Sequence, residues 1–260
     1  MAESWNLQGK TAVICGASQG IGAAAAHLLA ERGARIIALA RTQEKLDQLI
    51  QTLPGSGHRA WAIDLSETAR LQSDLVPLLQ NESIQILVNN AGGPKGGALL
   101  QASVLEFEAP LHAHLLASHV LAQTVVPSMR KAGYGRIINV ISTSVKNPIP
   151  NLGVSNTVRG AMASWSKTLA GELAPYNITV NNVLPGYIRT ARFESLVGAA
   201  AKAADASLEL MEEKWKATIP MGRIGEPREM AEAIAFLASP AAAYITGINL
   251  PVDGGRTPSL

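Results

Sequence analysis

The sequence predicts an α/β fold: a single doubly wound parallel sheet of about seven strands flanked by helices. Three observations carry this. Short apolar, partly β-branched runs alternate with longer helical stretches along the chain. The first run, Thr11 to Cys15, ends at glycine and opens directly into an Ala-rich stretch, as a strand–turn–helix unit does. No linker, repeat or low-complexity tract divides the 260 residues, so residues 1–260 are expected to form one domain.

Each element has its own signals. Ile21 to Arg32 stops before Gly33, a residue type that closes helices. Ala34 to Ala40 reads as the second strand, and Thr42 to Leu53 as a helix stopped by Pro54-Gly55. Arg59 to Ile63 is a strand ending at Asp64-Leu65, and Ser66 starts the next helix. Ile84 to Val88 is a strand running into Asn89-Asn90-Ala91-Gly92. Val104 to Lys131 reads as a long helical region and Gly135 to Ile141 as the fifth strand. Leu152 to Ala174 is a helix closed by Pro175, and Ile178 to Leu184 a strand ending at Pro185-Gly186. Pro227 to Ala238 is a helix with proline at its start, and Ile248 to Val252 the last strand. Residues 191–219 interrupt the alternation. They are helical by composition and follow the carboxyl end of a strand, where open α/β sheets bind ligands, so they are expected to cover the substrate.

Composition narrows the function. A hydrophobic fraction of 47% implies a well-buried core. The net charge of +2 is too balanced to suggest a nucleic-acid or anionic-membrane partner. A single cysteine, Cys15, rules out an internal disulfide and fits a reducing compartment. Met1 to Lys10 is polar and no apolar stretch approaches membrane-spanning length, so a cytoplasmic protein is expected. The five histidines are scattered without ligand spacing, and no metal site is expected.

Gly16, Gly20 and Gly22 follow the first strand and open a helix. Glycine permits the tight turn and lets the backbone approach a pyrophosphate, which the helix N-terminus then receives. The run Gly16-Ala17-Ser18-Gln19-Gly20-Ile21-Gly22 therefore reads as a dinucleotide-binding turn of a Rossmann-type sheet. The second strand ends at Ala40-Arg41. An arginine there suits a ribose 2′-phosphate, where a carboxylate would suit the 2′-hydroxyl, so NADP(H) is favoured over NAD(H).

Further pieces follow in order: Asp64 after the third strand, Asn89-Asn90-Ala91-Gly92 after the fourth, Gly135-Arg136-Ile137-Ile138-Asn139 leading to Ser142, Val180-Asn181-Asn182-Val183-Leu184-Pro185-Gly186, and Val252-Asp253-Gly254-Gly255. With this collinear set the chain resembles the short-chain dehydrogenase/reductase family over nearly its whole length, in the flavour of its 3-oxoacyl carrier-protein reductases. The resemblance implies that Asp64, with Leu65 beside it, holds the adenine, that Asn90, Ala91 and Gly92 line the adenine ribose, and that Pro185, Gly186, Ile188 and Thr190 frame the nicotinamide. Cys15 stands where the family usually has Thr. A thiol bonds more weakly, and a small buried hydrophobe is the expected role. The resemblance also implies a homo-oligomer, a dimer or tetramer, built on helices 104–131 and 152–175.

The chemical half departs from the family. Its members use a Tyr as proton donor, a Lys four residues on that lowers the Tyr pKa and binds ribose, a Ser that polarises the carbonyl and an Asn in a proton relay. Here Ser142 matches the Ser, but Ser155 stands at the Tyr position, Arg159 at the Lys position and His114 at the Asn position. A Ser hydroxyl is a far weaker acid than a phenol, whose pKa is ~10. Arg keeps the positive charge and can still grip the ribose hydroxyls of the cofactor, but does not pass protons. Lys146, four residues after Ser142, and Tyr187, beside Pro185-Gly186, are alternative donors by location. The dienoyl-CoA reductase branch is similar in having Ser at the Tyr position, but Ser144 and Arg159 depart from that branch too.

The expected function is an NADP(H)-dependent oxidoreductase with an atypical proton donor, acting on a small-molecule or acyl-thioester substrate that carries a carbonyl or a conjugated enoyl group. The alternative is a catalytically inactive nucleotide-binding member. An isomerase or lyase using the same cleft ranks last.

Overall fold

β1 (Thr11–Cys15) lies at the centre of the sheet and all five of its side chains are buried. Successive side chains on a strand point to opposite faces. Ala12 and Ile14 therefore join the core beneath α1 (Gly20–Glu31), while Val13 and Cys15 join the core on the other face. The computed structural model describes residues 3–259. Met1, Ala2 and Leu260 lie outside the described residues, and with them the first two residues of the polar N-terminal stretch.

The remaining elements are β2 (Arg35–Ala40), α2 (Gln43–Thr52), β3 (Arg59–Ala62), α3 (Thr68–Arg70), α4 (Val76–Gln80), β4 (Ile86–Asn89), α5 (Leu105–Leu111), α6 (Ala117–Ala132), β5 (Gly135–Val140), α7 (Gly153–Leu173), β6 (Ile178–Pro185), α8 (Ala191–Ala203), α9 (Leu208–Lys216), α10 (Pro227–Ala238) and β7 (Asn249–Val252). The strands pair in the order β3-β2-β1-β4-β5-β6-β7, all parallel. The order reverses at β1/β4, and the carboxyl ends of these two strands open the crevice where such sheets bind ligands. α1 and α10 cover one face; α4, α6 and α7 cover the other.

The strands fall within two residues of their expected ends. The main departure is the region expected as one helix over Val104 to Lys131. It breaks into α5, a π-helical turn over His112–Leu116, and α6. Pro110 lies inside α5, where it lacks an N–H for the ladder and its ring crowds the preceding turn. The π turn absorbs an extra residue and turns His114 inward. The helix expected after Ser66 likewise contains a π turn, over Leu71–Leu75.

Residues 191–219 form a helical pair, α8 and α9, with a core of their own built on Phe193, Val197, Met211 and Ile219. Each is closed at its start by a hydroxyl cap. Thr190 accepts from the amide of Phe193, and Ser207 from that of Leu210. No described helix is long and apolar enough to cross a membrane.

Candidate active site and cofactor cleft

The glycine turn is built for close approach. Gly16 and Gly20 have φ of +60° and +57°, which L side chains rarely adopt. A Cβ on Gly22 would stand 2.1 Å from the carbonyl oxygen of Gly16, and one on Gly16 would stand 2.6 Å from that of Asn90. Asn90 stitches the turn to β4, donating from Nδ2 to the carbonyls of Cys15 and Gly16 at 3.3 and 3.4 Å. α1 opens with Gln19 as its N-cap, with no side-chain cap and no acidic residue in its first turn. Its first amides, around Ile21 and Gly22, thus face outward with a positive dipole end, the donor set a pyrophosphate takes. Ser18 and Ile21 flank the turn, half-buried. Thr190, from the far side, packs its methyl 3.2 Å from where a Cβ of Gly20 would be.

Asp64, expected to hold the adenine, is ordered by hydrogen bonds and charge. Asp64 accepts from the amide and hydroxyl of Ser66 at 2.9 and 2.8 Å. Burial alone would raise its carboxyl, but these two bonds and the charge of Arg41 outweigh it and hold Asp64 below its usual range. Arg41 itself is exposed just past β2. Leu65, Asn90, Ala91 and His114 line one small cavity with Cys15 and Asn89. Burial drives the Cys15 thiol up to about 12, so it is an inert packing group that accepts weakly from the Asn90 amide. At the expected nicotinamide end, Pro185 closes β6. Gly186 passes so near Asp253 that a Cβ would stand 2.6 Å from its Cα, and Ile188 is buried.

In the chemical half, Ser142 follows β5 in extended backbone. Its Oγ accepts from the amide of Ser144 at 3.0 Å, which leaves its O–H hydrogen as the donor. Ser155 and Arg159 lie one turn apart on one face of α7. Arg159 is buried and donates from Nη1 to the carbonyl of Val140 at 2.8 Å. Burial, then repulsion from Arg192, lowers its guanidinium to about 10. His114 sits 3.0 Å from the carbonyl of Gly92 through Nε2. A carbonyl only accepts, so Nε2 carries the hydrogen. Burial, then the charge of Arg159, pushes its pKa well below the usual value, so the ring is neutral near pH 7 and Nδ1 is an acceptor. Lys146 is half-buried just after the turn that Ser142 caps. Tyr187 packs with the α8–α9 core. Its ring stacks on Trp215 at 4.7 Å, and its hydroxyl accepts from Arg256 at 3.1 Å.

Two features escape sequence reading. Arg192, in the first turn of α8, reaches across the cleft and donates to the carbonyl of Pro94 at 2.6 Å. A row of asparagines also crosses the sheet in register. Asn89 donates to Asn139 at 2.8 Å, Asn139 to Asn182 at 3.0 Å, and Asn182 to Asn249 at 2.8 Å. The row ends at the Oδ1 of Asn89, buried without a protein partner beside the small cavity.

Known proteins resemble this chain over most of its length. A family model described as Enoyl-(Acyl carrier protein) reductase matches residues 16–257. The 3-oxoacyl-[acyl-carrier-protein] reductase FabG of Vibrio cholerae is 38% identical over 256 residues, covering 96% of this chain and 98% of that protein. Dehydrogenase/reductase SDR family member 4 of Sus scrofa is 33% identical over 98% of this chain and 89% of its own. Among solved structures, L-sorbose reductase of Gluconobacter frateurii, complexed with NADPH and L-sorbose, superposes with a TM-score of 0.92 at 29% identity, over 99% of this chain and all of that one (100%). YwfH, an NADPH-dependent reductase involved in bacilysin biosynthesis, superposes with a TM-score of 0.91 at 29% identity, over 96% and 99% of the two chains. The chain belongs to the short-chain dehydrogenase/reductase family of oxidoreductases.

Proposed function

We propose that this protein is an NADP(H)-dependent reductase of conjugated carbon–carbon double bonds, an enone or enoyl compound, in which no phenol donates the proton. The observation that carries the reading is the state of Arg159. It is a permanent charge bonded to Val140, one helical turn from a Ser where the family keeps its acid. Reducing an isolated ketone leaves an alkoxide that needs an acid at once. Reducing a conjugated system leaves an enolate, whose charge is delocalised and whose α-carbon takes its proton from water.

The uncapped start of α1, the glycine approach and Arg41 fit a nicotinamide dinucleotide with a 2′-phosphate. NADPH is named for the relatives that superpose. That cofactor supplies the hydride. Ser142 donates its hydroxyl to the substrate oxygen as negative charge develops there, and Arg159 adds a positive field in a water-poor setting. Neutral His114 holds the Gly92 loop in place and offers Nδ1 to a water. Lys146, at the end of the turn that Ser142 opens, takes the role of water's partner in the relay.

The test is NADPH oxidation against paired substrates: enones and enoyl thioesters on one side, the corresponding saturated ketones and 3-oxoacyl thioesters on the other. Turnover of the conjugated set alone supports the reading. Tight NADPH binding with no turnover of either set would instead support the nucleotide-binding alternative.

A further inference from the structure

Two arginines meet in the cleft, and among the described residues no acid pairs with either. A Cβ built on Gly93 would stand 3.5 Å from Nη2 of Arg192 and 3.9 Å from Nη2 of Arg159, so both guanidinium groups face one point beside the Gly92–Gly97 loop. Arg159 reaches it from the buried face of α7, and Arg192 from the exposed start of α8. The hydrogen bonds of both go to main-chain carbonyls, Val140 and Pro94. Among the described residues neither makes a salt bridge, and Arg159 is lowered by burial and by Arg192 with no carboxylate acting in the other direction. The neighbouring His114, Ser142 and Ser155 bring no negative charge.

Like charges at such range repel, and a buried cation without a counter-ion is costly. The dinucleotide does not relieve this. Its pyrophosphate belongs at the glycine turn and its 2′-phosphate at Arg41, while its nicotinamide ribose is neutral. The missing anion therefore comes with the substrate. A carboxylate accepts from two guanidinium groups at once with short, charge-assisted bonds. Gly93 has no side chain to fill the place.

We propose that Arg159 and Arg192 form an anion-binding subsite for a carboxylate of the substrate, so that the compound reduced is an unsaturated oxo acid or similar conjugated acid. This rests on the reductase reading for its reaction but not for its binding. Arg192, arriving with α8, makes the carboxylate part of what closes the cleft.

The experiment uses the whole protein with trans-4-oxo-2-pentenoic acid and its methyl ester as substrates, and malonate as a non-reacting probe titrated calorimetrically with NADP+ present. The acid is expected to have a kcat/KM on the order of ten- to hundredfold above the ester. Arg192→Met is expected to raise KM for the acid by that factor, to affect the ester at least several-fold less and to abolish malonate binding, with Arg192→Lys recovering part of it. Equal turnover of acid and ester, unaffected by Arg192→Met, overturns the subsite while the reductase reading stands. Equal loss on acid and ester also overturns it, because that makes Arg192 a latch on Pro94 alone. If neither compound is reduced, the malonate titration decides. Binding that disappears in Arg192→Met supports the subsite, and binding that is absent from the start or survives the substitution overturns it.

Discussion

Arg159 donates to the carbonyl of Val140 and thereby anchors α7 to the end of β5, two residues before Ser142. The charge is held by main chain, and among the described residues no acid pairs with it. On the proposed reading, this keeps a positive charge beside the cofactor cleft without an acid on the same helix face.

That separation predicts a gain of function. The double variant Ser155→Tyr/Arg159→Lys places a phenol and an amine one turn apart on the same helix face. Reduction of an unconjugated 3-oxoacyl thioester, followed by NADPH absorbance, should rise over wild type by about 10²–10⁴-fold, the usual worth of a positioned general acid. An unchanged rate in a folded, NADPH-binding variant would show that more than the acid has been rebuilt.

His114 predicts a pH dependence of stability. Its folded pKa is depressed, first by burial and then by Arg159. Below the unfolded value of ~6.5 the unfolded chain takes a proton that the folded chain refuses. The contribution is therefore fully present above ~6.5 and is lost as pH falls toward the folded value, with a slope of up to ~1.4 kcal/mol per pH unit. His114→Asn should flatten that limb in urea unfolding between about pH 5 and 7.5, and an unaltered slope would place the titration elsewhere.

The glycine turn predicts a contrast between two equal substitutions. Gly22→Ala puts a methyl 2.1 Å from the Gly16 carbonyl, whereas at Gly92 an added Cβ meets nothing within 4 Å. Gly22→Ala should cost roughly 1–3 kcal/mol in thermal unfolding and weaken NADPH binding strongly, while Gly92→Ala should stay within about 0.5 kcal/mol.

Arg41 predicts cofactor choice. It is exposed and pairs through space with Asp64 only weakly, so its removal disturbs little of the fold. Arg41→Ala should weaken NADPH by about ten- to hundredfold in a fluorescence titration and leave NADH unchanged. Equal weakening of both would assign Arg41 to a general electrostatic role.

Tyr187 predicts a negative result. Its hydroxyl accepts from Arg256 and its ring lies between Arg256 and Trp215. Tyr187→Phe should retain turnover of the conjugated substrate within about twofold, since its ring packs on Trp215 in the α8–α9 core and the proposed chemistry makes no use of its hydroxyl. A drop of about 10²-fold in kcat with a shifted pH profile would return Tyr187 to the chemistry.

The strands and the cofactor turn were legible in the sequence because their causes are local. A buried parallel strand reads as an apolar run, and a turn with φ near +60° reads as glycine. The break at His112–Leu116 also had a local sign in Pro110, but one proline does not say where the extra residue of a π turn will fall. Arg192 had no local sign. Its carbonyl partner, Pro94, is 98 residues away, and only the fold brings α8 over the Gly92–Gly97 loop. The asparagine row was hidden for the same reason. Asn89, Asn139, Asn182 and Asn249 are unremarkable apart, and become a unit only once strand register is known.

That row bears on how this cleft was free to change. A slip of β5 by one residue would turn Asn139 to the opposite face and break its links to Asn89, Ser166 and Asn182 together. Misaligned sheets are thus penalised from within, and the strand ends bearing Asn90, Ser142 and Gly186 arrive in one arrangement whatever the mouth of the cleft is made of. None of the side chains at 114, 155 and 159 belongs to that row, so the register that sets the cleft's geometry is held separately from the residues that set its chemistry.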